Sequence, residues 1–202
     1  LLDNQLEASS VSFCTPLTLS DTKLDLGLLK IPKSLELFRL FLYTLSSNWN
    51  EEAVLFCGFM TRHFSPKMLK IAEEFFEEVT QSRAWKKSRV LILKTPKAFK
   101  NKDIIHQIDF DQQIFKQYFG VFSAKHIDYA SQFLIENWSV SSEDQRVLDL
   151  ASGNGVLAAA VRKYSPNCEL HLLDDSYLAV ASSQLNLAPT NTFFHCDNTL
   201  LA

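Results

Sequence analysis

The stretch Val147-Leu148-Asp149-Leu150-Ala151-Ser152-Gly153-Asn154-Gly155-Val156-Leu157-Ala158 decides the fold. An apolar run ends in a carboxylate, turns through small residues and continues as a second apolar run. Small residues permit a sharp strand-to-helix turn and let backbone N–H groups come close to a ligand. The chain has only 5 glycines in 202 residues, and two of them fall within this one turn. In so glycine-poor a chain they mark backbone geometry that other residues tolerate badly. Gly153-x-Gly155-x-x-Ala158 also satisfies the dinucleotide pattern, and Asp174 follows about twenty residues later at the end of the next strand. A carboxylate there can accept from both ribose hydroxyls, so the spacing favours an adenosine-containing cofactor.

Asp149 separates two such cofactors. A carboxylate at the strand tip repels a pyrophosphate and favours a cationic cofactor with an amino-acid tail, whose α-ammonium it can hold directly or through water. S-adenosylmethionine is therefore expected, and a nicotinamide dinucleotide is disfavoured. The plain alternative is that Asp149 caps a turn.

Working outward, Arg146–Leu150 reads as a strand, 155–164 as a helix, 169–173 as a second strand, 177–187 as a second helix and Thr192–Cys196 as a third strand. This β-α-β-α-β series is the first half of a doubly wound sheet. Ahead of it, residues 104–110 alternate like a strand, and 122–137 read as a loop entering a helix. Lys94 to Asn101 holds Pro96, three lysines and no apolar period, which suits a linker.

Further upstream, Leu28 to Ile31, closed by Pro32, reads as a short buried strand. A helix follows with Ser34 as its N-cap, and the run from Ala53 to Cys57 is a strand. Ser65-Pro66 opens another helix, whose apolar positions from Met68 through Phe75 and Phe76 to Val79 suit an amphipathic element. Val90 to Leu93 is a further strand. The fold class is thus α/β: two Rossmann-like domains in tandem, both expected to be incomplete, with boundaries 1–95, a linker at 96–103 and 104–202.

Charge is unevenly distributed. Residues 1–102 hold 15 basic and 11 acidic side chains, residues 103–202 hold 5 and 12. Gln81 to Lys102 carries eight cations and no carboxylate. Arg83, Lys86, Lys87, Arg89, Lys97 and Lys100 can hold a phosphate backbone, with Trp85 and Phe99 as stacking surfaces. A strand with solvated ends and a basic linker would look the same.

The motif Asp149 to Gly155 looks like the D-L-G-C-G-N-G motif of class I methyltransferases. The run Leu173-Asp174-Asp175-Ser176, with Ala179 to Asn186, resembles their V-D-x-S…A-V-x-S-S-x-x-N continuation. Gly120-Val121-Phe122-Ser123 and Ile127-Asp128 resemble the G-V-F-S-x-x-x-L-D segment of the ribosomal RNA guanine-N2 methyltransferases of the RsmC and RlmG type. Lys30-Ile31-Pro32-Lys33 and Ala84 to Arg89 are similar to the K-x-P-K and A-W-K-K-x-R signatures of their N-terminal domain, most like the large-subunit type. The resemblance implies a degenerate N-terminal methyltransferase-like domain that helps hold RNA, followed by a catalytic domain.

It implies S-adenosylmethionine as cofactor and ribosomal RNA as partner. Asp149, Gly153, Asn154 and Gly155 would serve the methionine part, Asp174 and Asp175 the ribose, and Asp197 with Asn198 the adenine. Phe122, Ser123 and Asp128 would close the pocket, although Phe122 also suits a core and Ser123 and Asp128 suit helix caps. Ala151 departs from the family by replacing its first motif glycine, and His126 and Ala130 replace glycines upstream. The family's N-P-P-aromatic segment, which orients the guanine, is absent from these 202 residues. The chain is therefore expected to hold no catalytic residue of its own and, alone, not to turn over. A non-catalytic RNA-binding module on the same scaffold is the alternative.

Other constellations point elsewhere. No apolar run reaches the ~18 residues of a membrane span, and the first residues lack the pattern of a secretory leader. The four cysteines show no paired spacing and read as reduced core or strand-end thiols, consistent with a cytoplasmic monomer. The five histidines show no metal-ligand spacing, so no metal is expected. Ser152 lacks the surroundings of a nucleophile turn. Glu73-Glu74 and Glu77-Glu78 read as the wet face of a helix.

Overall fold

The computed structural model describes residues 12, 14–19, 23–98 and 103–197. The chain divides into two compact units, 1–102 and 103–202.

The first unit is built on a four-stranded mixed sheet. Its elements are β1 (Leu24–Lys30), α1 (Leu35–Ser47), β2 (Trp49–Met60), a 3-10 turn at Thr61–His63, α2 (Pro66–Phe75), β3 (Phe76–Gln81) and β4 (Ser88–Pro96). The order is β1-β2-β4-β3, with β1 parallel to β2 and both other pairs antiparallel. Both helices start where the sequence implies. The Ser34 hydroxyl accepts from the Leu37 N–H at 3.2 Å, and Ser65 caps α2 with Pro66 in its first turn. Phe38 and Leu42 of α1 and Ile71, Ala72 and Phe75 of α2 form a core with the inward residues of β2 and β4, Leu55, Cys57, Leu91 and Leu93. Burial pushes the Cys57 thiol up to about 12, which leaves it an inert core group.

Three expectations change here. Leu28 is 80% exposed, because alternation along β1 turns Leu26 and Leu28 away from the helices. Helix α2 stops at Phe75, and residues 76–81 pair with β4, Glu78 opposite Lys94 and Thr80 opposite Ile92. Glu77 and Glu78 therefore lie on a strand, not on the wet face of a helix. Residues 94–96, assigned to a linker, complete β4. Gly27 owes its identity to packing: a Cβ there would stand 2.5 Å from the Trp49 ring and 2.7 Å from Leu55.

The second unit opens with a hairpin, β5 (Ile105–Phe110) and β6 (Gln113–Tyr118), of which the sequence signalled only the first strand. Helix α3 (Tyr129–Asn137) follows, then β7 (Arg146–Leu150), α4 (Val156–Tyr164), β8 (Glu169–Asp174), α5 (Tyr177–Gln184) and β9 (Thr192–Cys196). Strands β7, β8 and β9 are parallel and adjacent in that order, as the wound series requires. Side chains of α5 and the turn after it stitch the hairpin down: the Tyr118 N–H donates to the Ser182 hydroxyl, and the Asn186 side chain both donates to and accepts from the Lys116 backbone.

Candidate cofactor cleft

The turn after β7 is held by two carboxylates. Asp149 ends up buried, 7% exposed, and is not on the cleft wall. Its Oδ2 accepts from the Ala158 N–H at 3.1 Å. The reason lies in the helix start. Gly155 is the N-cap of α4, at φ +79°, and has no side chain with which to satisfy the first turn. Asp149 supplies that acceptor from the neighbouring strand, and the Asn154 side chain accepts from the Val156 N–H. Burial pushes the Asp149 carboxyl up to about 6; the Ala158 N–H partly offsets this, and the nearby Asp174 charge adds to it.

Asp174, at the tip of β8, accepts from the Gly153 N–H through one oxygen and from the Ser176 N–H through the other, both at 2.9 Å. It therefore locks the Gly153 turn against the start of α5. Asp175, next to it, is exposed on the cleft wall.

The opposite wall comes from the segment between β6 and α3. Gln117, 1% exposed, donates to the Phe122 carbonyl at 3.2 Å and to the Ser123 carbonyl at 3.4 Å, while its own carbonyl accepts from the Asn154 side chain at 2.8 Å. One buried amide thus ties this segment to the glycine turn. Asp128 caps α3, accepting from the Ala130 and Ser131 N–H groups and the Ser131 hydroxyl; the hydroxyl bond first, then the backbone ones, hold its carboxyl below the usual range. The Ser123 hydroxyl donates to the His126 carbonyl. Phe122 is 80% exposed at the rim, which removes the core reading of that residue.

Together these elements enclose a cleft of about 430 Å³. Phe122, Ser123, Asp128, Gly153, Asn154, Asp174 and Asp175 line it. Asp149 and Gly155 stand behind it as supports. Asp197 is off its wall, its N–H bonded to the Asp174 carbonyl, and Asn198 lies outside the described residues. Ala151 lines the cleft at φ +59°, so it takes up the left-handed conformation its family counterpart glycine would adopt freely. Gln117 is the working residue the sequence reading missed, since its bond to Asn154 spans 37 residues; Asn186, the last position of the motif continuation, also reaches Asn154, across 32.

The basic block of the first unit is split. Arg83, Trp85, Lys86 and Lys87 share one hairpin tip, with Arg89 on its stem donating to Gln81. Lys97 follows the far end of β4, ~27 Å away for a nine-residue strand, and donates to the Glu73 carbonyl. Lys100 and Phe99 lie outside the described residues.

A parallel sheet, a glycine turn braced by strand-tip acids and a cleft over the strand ends define an α/β methyltransferase fold. Residues 1–98 match the family model described as RLMG N-terminal domain, and residues 112–198 match the methyltransferase small domain. The ribosomal RNA large subunit methyltransferase G of Shewanella denitrificans is 29% identical over 207 residues, covering 99% of this chain and 54% of that protein. Its counterpart in Shewanella frigidimarina is 27% identical over 188 residues, covering 92% and 48%. The solved 16S rRNA N2 methyltransferase RsmC of T. Thermophilus, in complex with AdoMet and guanosine, superposes with a TM-score of 0.73 at 20% identity, covering 91% of this chain and 53% of that one. Between them the two models span nearly all of the chain, which shares the arrangement of an RLMG N-terminal domain followed by a methyltransferase small domain. The chain spans about half the length of the curated relatives it matches.

Proposed function

We propose that this chain carries the cofactor site of an S-adenosylmethionine-dependent enzyme that methylates the exocyclic N2 of a guanine in ribosomal RNA. The two units are then a degenerate methyltransferase-like unit followed by a cofactor-binding unit, acting as a cytoplasmic monomer. Among the described residues no helix is long and apolar enough to cross a membrane.

The observation that carries the reading is the convergence of both motif turns and the 120–128 segment on one cleft. Its volume falls in the ~300–1,000 Å³ range of small-molecule sites. The residues present fit the group. A Cβ on Gly153 would meet nothing within 4 Å, so the turn's backbone is open to close approach. The Ser152 hydroxyl, buried at the edge of the cleft, has no partner among the described residues. Asp174 fixes the turn with one bond to each oxygen, and with Asp175 beside it on the cleft wall the pair offers its remaining carboxylate lone pairs to the ribose hydroxyls. Asp149 acts from behind, through the first turn of α4, and contributes negative charge toward the methionine end. When bound, the sulfonium supplies the methyl group; the protein supplies orientation and a dry, shaped wall.

Titration calorimetry on the chain tests this, with S-adenosylhomocysteine as the probe. Binding at one site, weakened by Asp175→Ala, and no heat with NAD are expected. Binding of NAD instead, or no S-adenosylhomocysteine binding by folded chain, refutes it; the latter would favour the RNA-binding module with a vestigial cleft.

A further inference from the structure

The β3–β4 hairpin tip, 82–87, has an unusual construction. Trp85 and Ser88 exchange both backbone hydrogen bonds, at 2.9 and 2.8 Å, leaving Lys86 and Lys87 as a two-residue loop. Their φ values are +42° and +65°. Positive φ at both central positions is the turn that Asn-Gly fills readily, and two lysines occupy it at a cost in backbone strain. The strain is not relieved by burial: Trp85 is 71% exposed, and the Lys86 ammonium lies 4.8 Å from the centre of its ring.

The tip is also anchored. The Lys87 carbonyl accepts from the Thr61 N–H at 2.8 Å and from the Thr61 hydroxyl at 3.1 Å. This brings Arg62 and His63, both exposed and outside the basic block, to the side of Lys87. The same sheet end carries Lys30 at the close of β1 and Arg89 at the start of β4. The acidic pairs Glu51-Glu52, Glu73-Glu74 and Glu77-Glu78 stand at the opposite end, at the starts of β2 and β3 and the close of α2. Glu36, in the first turn of α1, is the carboxylate described at the basic end. One end of the unit is therefore cationic around a presented aromatic ring, and strand order alone produces the segregation.

From this we infer that the Trp85-Lys86-Lys87 tip and the Arg62-His63 turn form a clamp for single-stranded RNA. The Trp85 face takes an unpaired base, and Arg62, Lys86 and Lys87 take the flanking phosphates. An exposed indole ringed by cations suits a strand whose bases are free to stack, whereas a duplex keeps its bases inside and offers only phosphates. The inference rests on RNA being the substrate proposed above, and it narrows that partner to an unpaired segment. It also leaves Lys97 out of the surface.

Fluorescence anisotropy with a labelled unstructured twelve-nucleotide RNA, in a salt series, tests the clamp. Trp85→Ala is expected to weaken binding about ten- to a hundredfold with an unchanged salt slope, and Trp85→Phe to keep most of the affinity. The double change Lys86→Asn with Lys87→Gly suits the turn, so its Tm should rise while its salt slope falls by about 1.4. Arg62→Gln should lower the slope by about 0.7. Equal affinity for a duplex of the same length, unchanged binding by Trp85→Ala, or full binding by the Asn-Gly variant overturns the clamp. S-adenosylhomocysteine calorimetry on the same wild-type preparation keeps the two readings apart. RNA binding that depends on Trp85 without cofactor binding supports the clamp and refutes the enzyme. Cofactor binding with no effect at Trp85 does the reverse.

Discussion

Replacing Asp149 by asparagine should stabilise the second unit at neutral pH while weakening its cofactor site. The carboxyl is 7% exposed and its pKa is raised from 3.8 to about 6, chiefly by burial. At about 1.4 kcal/mol per pKa unit, holding it ionised in the folded state costs about 3 kcal/mol relative to the unfolded chain. The sign follows from which state binds the proton more tightly. With the folded pKa above the unfolded one, the contribution of this group is most favourable below pH 3.8, declines as pH rises toward about 6, and is level above that. The substituted side-chain amide would keep an acceptor for the Ala158 N–H without the charge, at a loss of about 1 kcal/mol for the weaker bond. The Asp149→Asn variant should thus be about 2 kcal/mol more stable at pH 8, raising the Tm of this roughly hundred-residue unit by about 10 °C, and should show no advantage at pH 4. Scanning calorimetry of both proteins at pH 4, 6 and 8 measures the gap. A gap independent of pH, or a variant less stable at pH 8 than wild type, refutes the burial argument. On the same samples, S-adenosylhomocysteine affinity should fall about tenfold. Stability and binding moving in opposite directions is the mark of a charge retained for its ligand.

Other perturbations separate the supports of the cleft from its wall. A Cβ on Gly155 would lie 3.0 Å from the Ser183 Cβ and 3.1 Å from Leu187, at φ +79°, so Gly155→Ala should cost about 2–4 kcal/mol in urea denaturation; Gly153→Ala, at φ +55° with open space, should cost about 1 kcal/mol. Gln117→Leu removes the tie between the 120–123 segment and Asn154 and strands a buried amide, so a loss of about 2–3 kcal/mol with weaker S-adenosylhomocysteine binding is expected by denaturation and calorimetry. Asp128→Ala should cost about 1 kcal/mol as a lost N-cap. Because the wild-type carboxyl sits below its ordinary 3.8, that contribution is present above pH 3.8 and fades as pH falls through the lower folded value, which a denaturation series from pH 2 to 6 would follow.

Where backbone geometry is dictated locally, the sequence was readable. The glycines at 153 and 155, the Ser34 and Ser65 caps and the small-residue turn specify their conformations within a few residues, and the strands and helices from 146 to 196 follow. Where an element depends on a distant partner, local pattern was silent or misleading. Phe75, Phe76 and Val79 fit the apolar face of a continuing helix, and only the pairing of 76–81 with β4 turns them into a strand. Gln113–Tyr118 carries two glutamines and a lysine, and its burial makes sense only once Asn154 and Asn186 arrive to satisfy it.

The same distinction explains the strand-tip acids. Spacing correctly put Asp149 and Asp174 at the ends of adjacent strands, but position along a strand does not say what a carboxylate touches. A glycine N-cap leaves the first turn of α4 without a side-chain acceptor, and the nearest strand tip provides one. Asp149 is drawn into the protein by that demand, and Asp174 is engaged in the same way by Gly153 and Ser176. Each oxygen of Asp174 keeps a second lone pair, so on the cleft wall both Asp174 and Asp175 retain acceptors that face the cavity. In this motif the strand-tip acids first make the turn possible, and their engagement with backbone N–H groups follows from that demand.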